Sequence, residues 1–595
     1  MAARFTAYAV AFIVGVTVIA GLIVGAQRED DGPVDLIVIN GHVYSADRDE
    51  LAEAVAVRGN KVIKVGSNRE IQRLRRAQTT VIDAKGGAVV PGFNDAHAHL
   101  ISGGLSLDQI SLADAKTLDD IKDTIRVWSD SHPEREWITG RGWYYQAFGG
   151  AMPTRQLLDS LVPDRPAYLI SYDGHTGWAN TRALQAAGIT RATQNPANGI
   201  IVRDARTGQP TGALKEAAMA LMSTVAPQPT EEDRLAAIRA VIDEAHRLGI
   251  TSAQDAGGSA ADLELFDRLR KRNELTLRVY QALEADATLT EAGLEELERV
   301  RTRFADDPVL KTGAIKLVAD GVIEAHTAAM LAPYANRPAM KGEARFTPEQ
   351  LTRIVGMLDG RGWQVMTHAT GDAAVRMTLD AYEAAAKANA APERGRRHRI
   401  EHIETIDPQD VPRFGRLGVV ASMQPVHATP STTPGDVWST NLGDDRASRG
   451  WLWASIAKTG GPIAFGSDWP VMTWDPKVGL HAAVTRTTSA FAKASAFASA
   501  TADRSAGRTG RASDGAQRLP IRQAIQAYTR DGAWASFDEQ RKGVLARDML
   551  ADIVVLSDDI FSGLPARLLD TEVVVTIADG KVVYRRDPPE TTTAQ

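Results

Sequence analysis

The chain has 595 residues, of which 44% are hydrophobic and 24% charged, and its 68 basic against 74 acidic residues give a formal net charge of −6. No basic cluster stands out, which argues against a nucleic-acid partner and for small-molecule chemistry. Cysteine is absent, which excludes disulfides, a thiolate nucleophile and a sulfur-ligated metal, and the length allows roughly two to four domains.

After Arg4 the run "AYAVAFIVGVTVIAGLIVGA" covers residues 7–26 without a charge and is followed by the polar "QREDDG". It is long for the apolar region of a signal peptide and just sufficient for a membrane span. Val24-Gly25-Ala26 offers a small-residue cleavage site. Residues 1–33 are therefore expected to form a signal or membrane anchor with its linker. The protein is expected to be exported: held on the extracytoplasmic side by an uncleaved anchor, the favoured reading, or released into the periplasm or medium.

Residues 34–66 alternate as strands do, with Gly59-Asn60 at a turn, and "ADIVVLS" and "VVVTIADGKVVYRR" near the C-terminus repeat the pattern around Asp579-Gly580. The two pieces, 34–90 and 543–588, are predicted to complete one composite β-sandwich. Between them, over 91–542, short strands alternate with amphipathic helices such as the threonine-capped 230–249. That pattern predicts an α/β architecture, a (β/α)8 TIM-like barrel or an open parallel sheet. The candidate strands lie in "GAVVPGFND", "TSAQDA", "AIKLVADG", "QVMTHA", "HRIEH", "VVASMQP" and "IAFGSDWP", with one more expected in "DQISLADA" or "AYLIS". Residues 130–225 exceed a single strand-to-helix loop and read as an inserted subdomain. Residues 487–517, rich in Gly, Ser and Ala, read as a low-complexity loop.

Within "PGFNDAHAH", His97 and His99 are two apart, so on a strand both rings face one point. That spacing suits half a metal site and equally a solvated strand face. Lys316, His368, His402 and Asp468 follow in later candidate strands, and a barrel gathers its chemistry at the C-terminal ends of its strands. Together the six residues could converge on one centre.

The order HxH, Lys, His, His, Asp resembles the binuclear-metal amidohydrolase superfamily. More closely, the chain is similar to its family-3 branch, which includes N-substituted formamide deformylases. "PGFNDAHAH", "GRGW", "DGHTGWANTRAL", "KLVADG", "HATGDAA", "RHRIEH", "QPVH" and "GSDWPV" carry the resemblance in that order, over roughly 34–587. It implies the barrel with its β-sandwich and two divalent metal ions, zinc foremost for nitrogen and oxygen ligands. His97, His99 and Asp468 would hold one ion and His368 and His402 the other. Lys316 would bridge them as a carboxylated side chain, since an ammonium has no lone pair to offer. The alternative for Lys316 is an ion pair with Asp320.

The implied activity is hydrolysis of a non-peptide C–N bond, of amide or formamide type, by a metal-bridging hydroxide, with Asp468 moving the proton. His175 and His427 are candidates to assist at the carbonyl, or are plain structure. Asp372 is a candidate to orient His368 or to cap a helix. Trp143, Trp178 and Trp438 could line a pocket or belong to the core. Competing readings are an N-acyl amino acid deacylase, with Arg141, Arg155 or Arg486 on the substrate carboxylate, a cyclic amidase, and a catalytically inactive membrane-tethered binding protein. The sequence leaves the oligomeric state open.

Overall fold

The computed structural model describes residues 32–304, 306–428, 436–486 and 514–586. Its centre is an eight-stranded parallel sheet. The strands are β1 (Phe93–Ala98), β2 (Ile250–Gly258), β3 (Arg278–Glu284), β4 (Leu310–Val318), β5 (Gln364–Ala369), β6 (Arg399–His402), β7 (Val420–Met423) and β8 (Ile463–Phe465), each paired with the next. Helices alternate with these strands, as the sequence predicts for a (β/α)8 barrel. The helix Glu231–Arg247 begins at Thr230, whose side chain accepts from Asp233 N in a capping box.

The sheet closes on itself. Beyond the three residues of β8 the chain runs along β1: Asp468 N–H donates to His97 O and His99 N–H to Trp469 O, both at 2.7 Å. Asp95 secures the same seam by accepting from the His97 and Ser467 amides at 2.9 and 3.1 Å. Gly466 is required here, because a Cβ at that position would lie 2.4 Å from His97 N and 2.7 Å from the Asp95 carboxylate. Gly466→Ala is expected to cost about 1–3 kcal/mol by overpacking the seam, read as a lowered urea midpoint.

One predicted strand is corrected. Neither "DQISLADA" nor "AYLIS" enters the barrel: Ile110–Ser111 and Ala167–Ser171 belong to a separate six-stranded sheet that runs from Ile110 to Glu216, between β1 and β2. The missing barrel strand is β3, "RVYQALE". Its Arg, Gln, Ala, Leu and Glu suit a helix, and pairing on both sides by β2 and β4 overrides that preference.

A four-stranded sheet from residues 36–83 faces a five-stranded sheet in which Ala88–Pro91 pairs antiparallel with Ile553–Leu556. Leu36, Val55 and Val57 of the first share one apolar cluster with Val89, Ile553 and Ile577 of the second. Ala88–Pro91 runs directly into β1, so this unit sets the entry of the chain into the barrel. The loop expected at 487–517 falls, up to residue 513, outside the described residues.

The expectation of an exported, membrane-anchored protein is also corrected. Among the described residues no helix is long and apolar enough to cross a membrane. The longest of them, Glu231–Arg247 and Asp372–Ala388, have 17 residues and one apolar face each, short of the roughly 20 apolar residues a span needs. The run at 7–26 that prompted the expectation lies outside the described residues.

Candidate metal centre

The C-terminal ends of β1, β4, β5, β6 and β8 bring His97, His99, Lys316, His368, His402 and Asp468 together, with His427 from the segment after β7. Asp468 is the hub. Its Oδ1 lies 3.3 Å from His97 Nε2 and 3.2 Å from His99 Nε2, and its Oδ2 lies 3.8 Å from His402 Nδ1 and 3.7 Å from His427 Nε2. The two-residue spacing at the end of β1, with His97 on the strand and His99 just beyond it, thus turns both rings to one oxygen. Two sets of three donors, His97–His99–Asp468 and His402–His427–Asp468, are close enough to hold a metal ion.

His368 and Lys316 flank these sets. The His368 ring centre is 4.6 Å from that of His402, while its Nε2 is 3.1 Å from the Gly321 carbonyl. Lys316 Nζ is 3.4 Å from His97 Nε2. The ion pair to Asp320 does not form, because that carboxylate accepts instead from the amides of Ala329, Thr370 and Gly371 at 2.9–3.1 Å. Asp372 neither orients His368 nor caps the helix: it accepts from Leu331 N at 2.8 Å, and the group nearer His368 is Asp320, at 3.6 Å.

Burial sets the electrostatics. It lowers the pKa of His99, His427 and Lys316 and drives His368 and His402 well below the usual histidine range, so the lone pairs are available as ligands. Burial pushes the Asp468 carboxyl up, but His402, His97 and His99 outweigh it and hold the group well below the usual carboxylate range. His402 (φ 75°) and Asp468 (φ 60°) both have left-handed backbones, a conformation uncommon outside glycine that concentrates at functional sites.

Beneath the ligands lies a layer that the motifs do not advertise. His97 Nδ1 is 2.5 Å from Glu401 Oε2, and fully buried Arg399 donates to both oxygens of Glu401 at 2.9 and 3.1 Å. Burial would raise Glu401, but Arg399 and His97 outweigh it and bring its pKa to about 2. His402 Nδ1 is 2.9 Å from Gln424 Oε1. Such partners fix the tautomer and aim of a ligating imidazole.

The ligands open on a cavity of about 220 Å³, lined also by Tyr172, Asp173, His175, Glu324, Arg345 and Glu404. That is below the roughly 300–1,000 Å³ of pockets for drug-sized ligands, so the site suits a small molecule. His175 reaches it from the six-stranded sheet, on the turn between Ala167–Ser171 and Thr176–Ala179. Trp143 and Trp178 are core of that sheet, and Trp438 stacks on Trp451 while its Nε1 donates to Glu404 at 2.8 Å. Of the candidate cations Arg141, Arg155 and Arg486, none lines the cavity; Arg345 does.

The model of the amidohydrolase family matches residues 80–584. The chain belongs to the amidohydrolase family. This amidohydrolase is 30% identical over 560 residues to Protein LONG AFTER FAR-RED 3 of Arabidopsis thaliana, covering 92% of its own chain and 91% of the relative. It is 26% identical over 562 residues to an N-substituted formamide deformylase of Arthrobacter pascens, covering 93% and 98%. Among solved structures it shares its fold with an uncharacterized metal-dependent hydrolase from Pyrococcus horikoshii OT3. The TM-score there is 0.67 at 22% identity, over 89% of this amidohydrolase and 99% of that chain. The residues of the amidohydrolase's site fit divalent ions. Every donor is nitrogen or oxygen, and His427 Nε2 is buried without a hydrogen-bond partner beside Asp468.

Proposed function

We propose that the protein hydrolyses the C–N bond of a small non-peptide amide, of the N-substituted formamide class, at a divalent-metal centre. What carries this reading is the convergence of two imidazole pairs on the single carboxylate of Asp468 at the mouth of one small cavity. His97, His99 and Asp468 would hold one ion, and His368 and His402 a second, with Lys316 carboxylated on Nζ as the bridge. His427 stands close enough to share in the second set. When bound, such ions, zinc foremost, lower the pKa of water and polarise a carbonyl.

The chain's own groups do the rest. Asp468 stands as a carboxylate at the mouth of the cavity among the imidazoles, placed to take a proton from the attacking water and pass it to the leaving nitrogen. His427 and His175 line the cavity from two sides and can hydrogen-bond the carbonyl or the leaving group. The similarity to an N-substituted formamide deformylase supports the choice of substrate class. A deacylase of N-acyl amino acids would need a free cation for the substrate carboxylate, and the Arg345 guanidinium is already engaged by Glu216 at 2.6 Å.

The test is metal loading of the full chain followed by an assay panel. Protein stripped with a chelator and reconstituted with zinc and bicarbonate is expected to bind about two ions and to hydrolyse N-benzylformamide. N-acyl amino acids and hydantoins are expected to turn over far more slowly. Absence of stoichiometric metal, or of turnover on every C–N substrate, would overturn the reading; preference for an N-acyl amino acid or a hydantoin would replace the substrate class.

A further inference from the structure

We infer that Glu216 is a positioning residue for His175: it fixes the tautomer that carries hydrogen on Nδ1 and leaves Nε2 for the cavity, and it does so from the joint between the six-stranded sheet and the barrel. For its rate measurements the inference rests on the hydrolase reading above.

Glu216 ends the strand Pro210–Glu216, which pairs antiparallel with the strand that follows His175, and its own amide donates to His175 O at 3.1 Å. Its Oε2 lies 2.9 Å from His175 Nδ1 and 2.6 Å from Arg345 Nη2, and its Oε1 accepts from Thr327 Oγ1 at 2.6 Å. Arg345 and Thr327 both lie on the segment between β4 and the helix Pro348–Gly360. One buried carboxylate thus ties a histidine of the added sheet to two donors of the barrel. The backbone of Glu216 has φ 51° and ψ −129°, a strained conformation for a non-glycine residue that persists only where its surroundings impose it. Here those surroundings are the backbone pairing to Gly199 and His175 together with the three side-chain partners.

The tautomer follows from the acceptor. A carboxylate facing a guanidinium and a hydroxyl has no hydrogen to give, so the hydrogen of the 2.9 Å contact sits on His175 Nδ1. The Asp173 carboxylate accepts from the His175 backbone amide at 3.0 Å and so steadies the turn, not the ring. The ring lines the cavity with its centre 5.6 Å from that of His368. Nε2 is then the nitrogen that meets a substrate.

The experiment uses the zinc-loaded full chain labelled with ¹⁵N in its imidazoles, the His175 signals being assigned by their loss in His175→Ala. Wild type is expected to show His175 as the Nδ1–H form and Glu216→Ala a mixture of tautomers. Glu216→Gln, which keeps an acceptor, is expected to restore the Nδ1–H form. Glu216→Ala is also expected to lower kcat about 10–100-fold with KM within about threefold of wild type. In a His175→Ala background the same substitution should cost nothing further. Should Glu216→Ala not fold, Thr327→Val removes one donor to the carboxylate and is expected to shift the tautomer in the same direction by less.

An Nε2–H form in the wild type, an unchanged tautomer in both Glu216→Ala and Thr327→Val, or losses that multiply in the double variant would overturn the inference. If the tautomer responds as expected while no C–N substrate is turned over, the positioning stands and the hydrolase reading falls.

Discussion

Asp468→Asn is expected to lower kcat/KM by about 10²–10⁴-fold, the range that a positioned proton-transfer group contributes, without unfolding the protein. The substitution preserves shape, and asparagine tolerates the left-handed backbone at φ 60° as well as aspartate does. What it removes is the negative charge that His97, His99, His402 and His427 share at 3.2–3.8 Å. Both sets of candidate ligands lose their shared carboxylate at once, so the zinc content of the reconstituted variant should fall together with the rate. Thermal unfolding, metal analysis and turnover of N-benzylformamide on the same preparation check this. A variant that binds zinc and turns over as wild type would remove Asp468 from the centre of the mechanism.

Arg399→Met is expected to cost about 3–5 kcal/mol of stability, as does breaking a buried ion pair from one side. Arg399 is fully buried and gives hydrogen bonds to Glu401, Gln254, the Ser422 hydroxyl at 2.8 Å and the Ala96 carbonyl at 2.5 Å. Without it, the Glu401 carboxylate is left in the barrel interior without its guanidinium, hydrogen-bonded to His97 and with Lys316 as the nearby cation. The double variant Arg399→Met/Glu401→Gln removes both charges and is expected to regain part of the loss. Its zinc affinity should remain about 10–100-fold lower, because His97 then donates to a neutral amide oxygen, a weaker acceptor than the carboxylate it faces in the wild type. Urea midpoints for the two variants, with zinc titrations on the double one, separate the contributions. Equal stability of Arg399→Met and wild type would show the ion pair to be energetically idle.

The features legible in the sequence were those with a short period. His97 and His99 could be read because two-residue spacing on a strand implies a shared direction. Seven of the barrel strands could be read because apolar runs stood beside capped helices. β3 escaped because its residues suit a helix and only its two neighbours make it a strand. The layer beneath the ligands escaped for another reason. Glu401 lies inside "HRIEH", next to a histidine that drew attention, and nothing local says that it reaches His97, 304 residues away in the chain.

Glu216 was hidden in the same way, since its contacts depend on a sheet folding back over the barrel. Asp320, not Asp372, approaches His368 because the amides of Thr370 and Gly371 turn towards it. Contacts of this kind are properties of the closed barrel, and no window of sequence contains them.

The closure through Asp468 and Trp469 has a consequence for the order of assembly. The seam joins residues 97–99 to residues 468–469, so its contacts close a loop of roughly 370 residues, among the most entropically expensive in the chain. Until that loop closes, His97 and His99 belong to one half of the polypeptide and Asp468 to the other. The complete donor set therefore cannot assemble before residues 468–469 have been synthesised, and metal capture by the full set follows closure of the seam. In hydrogen exchange, the amides of His99 and Asp468 should open together and be slowed by zinc, recording the ring closing as one cooperative event.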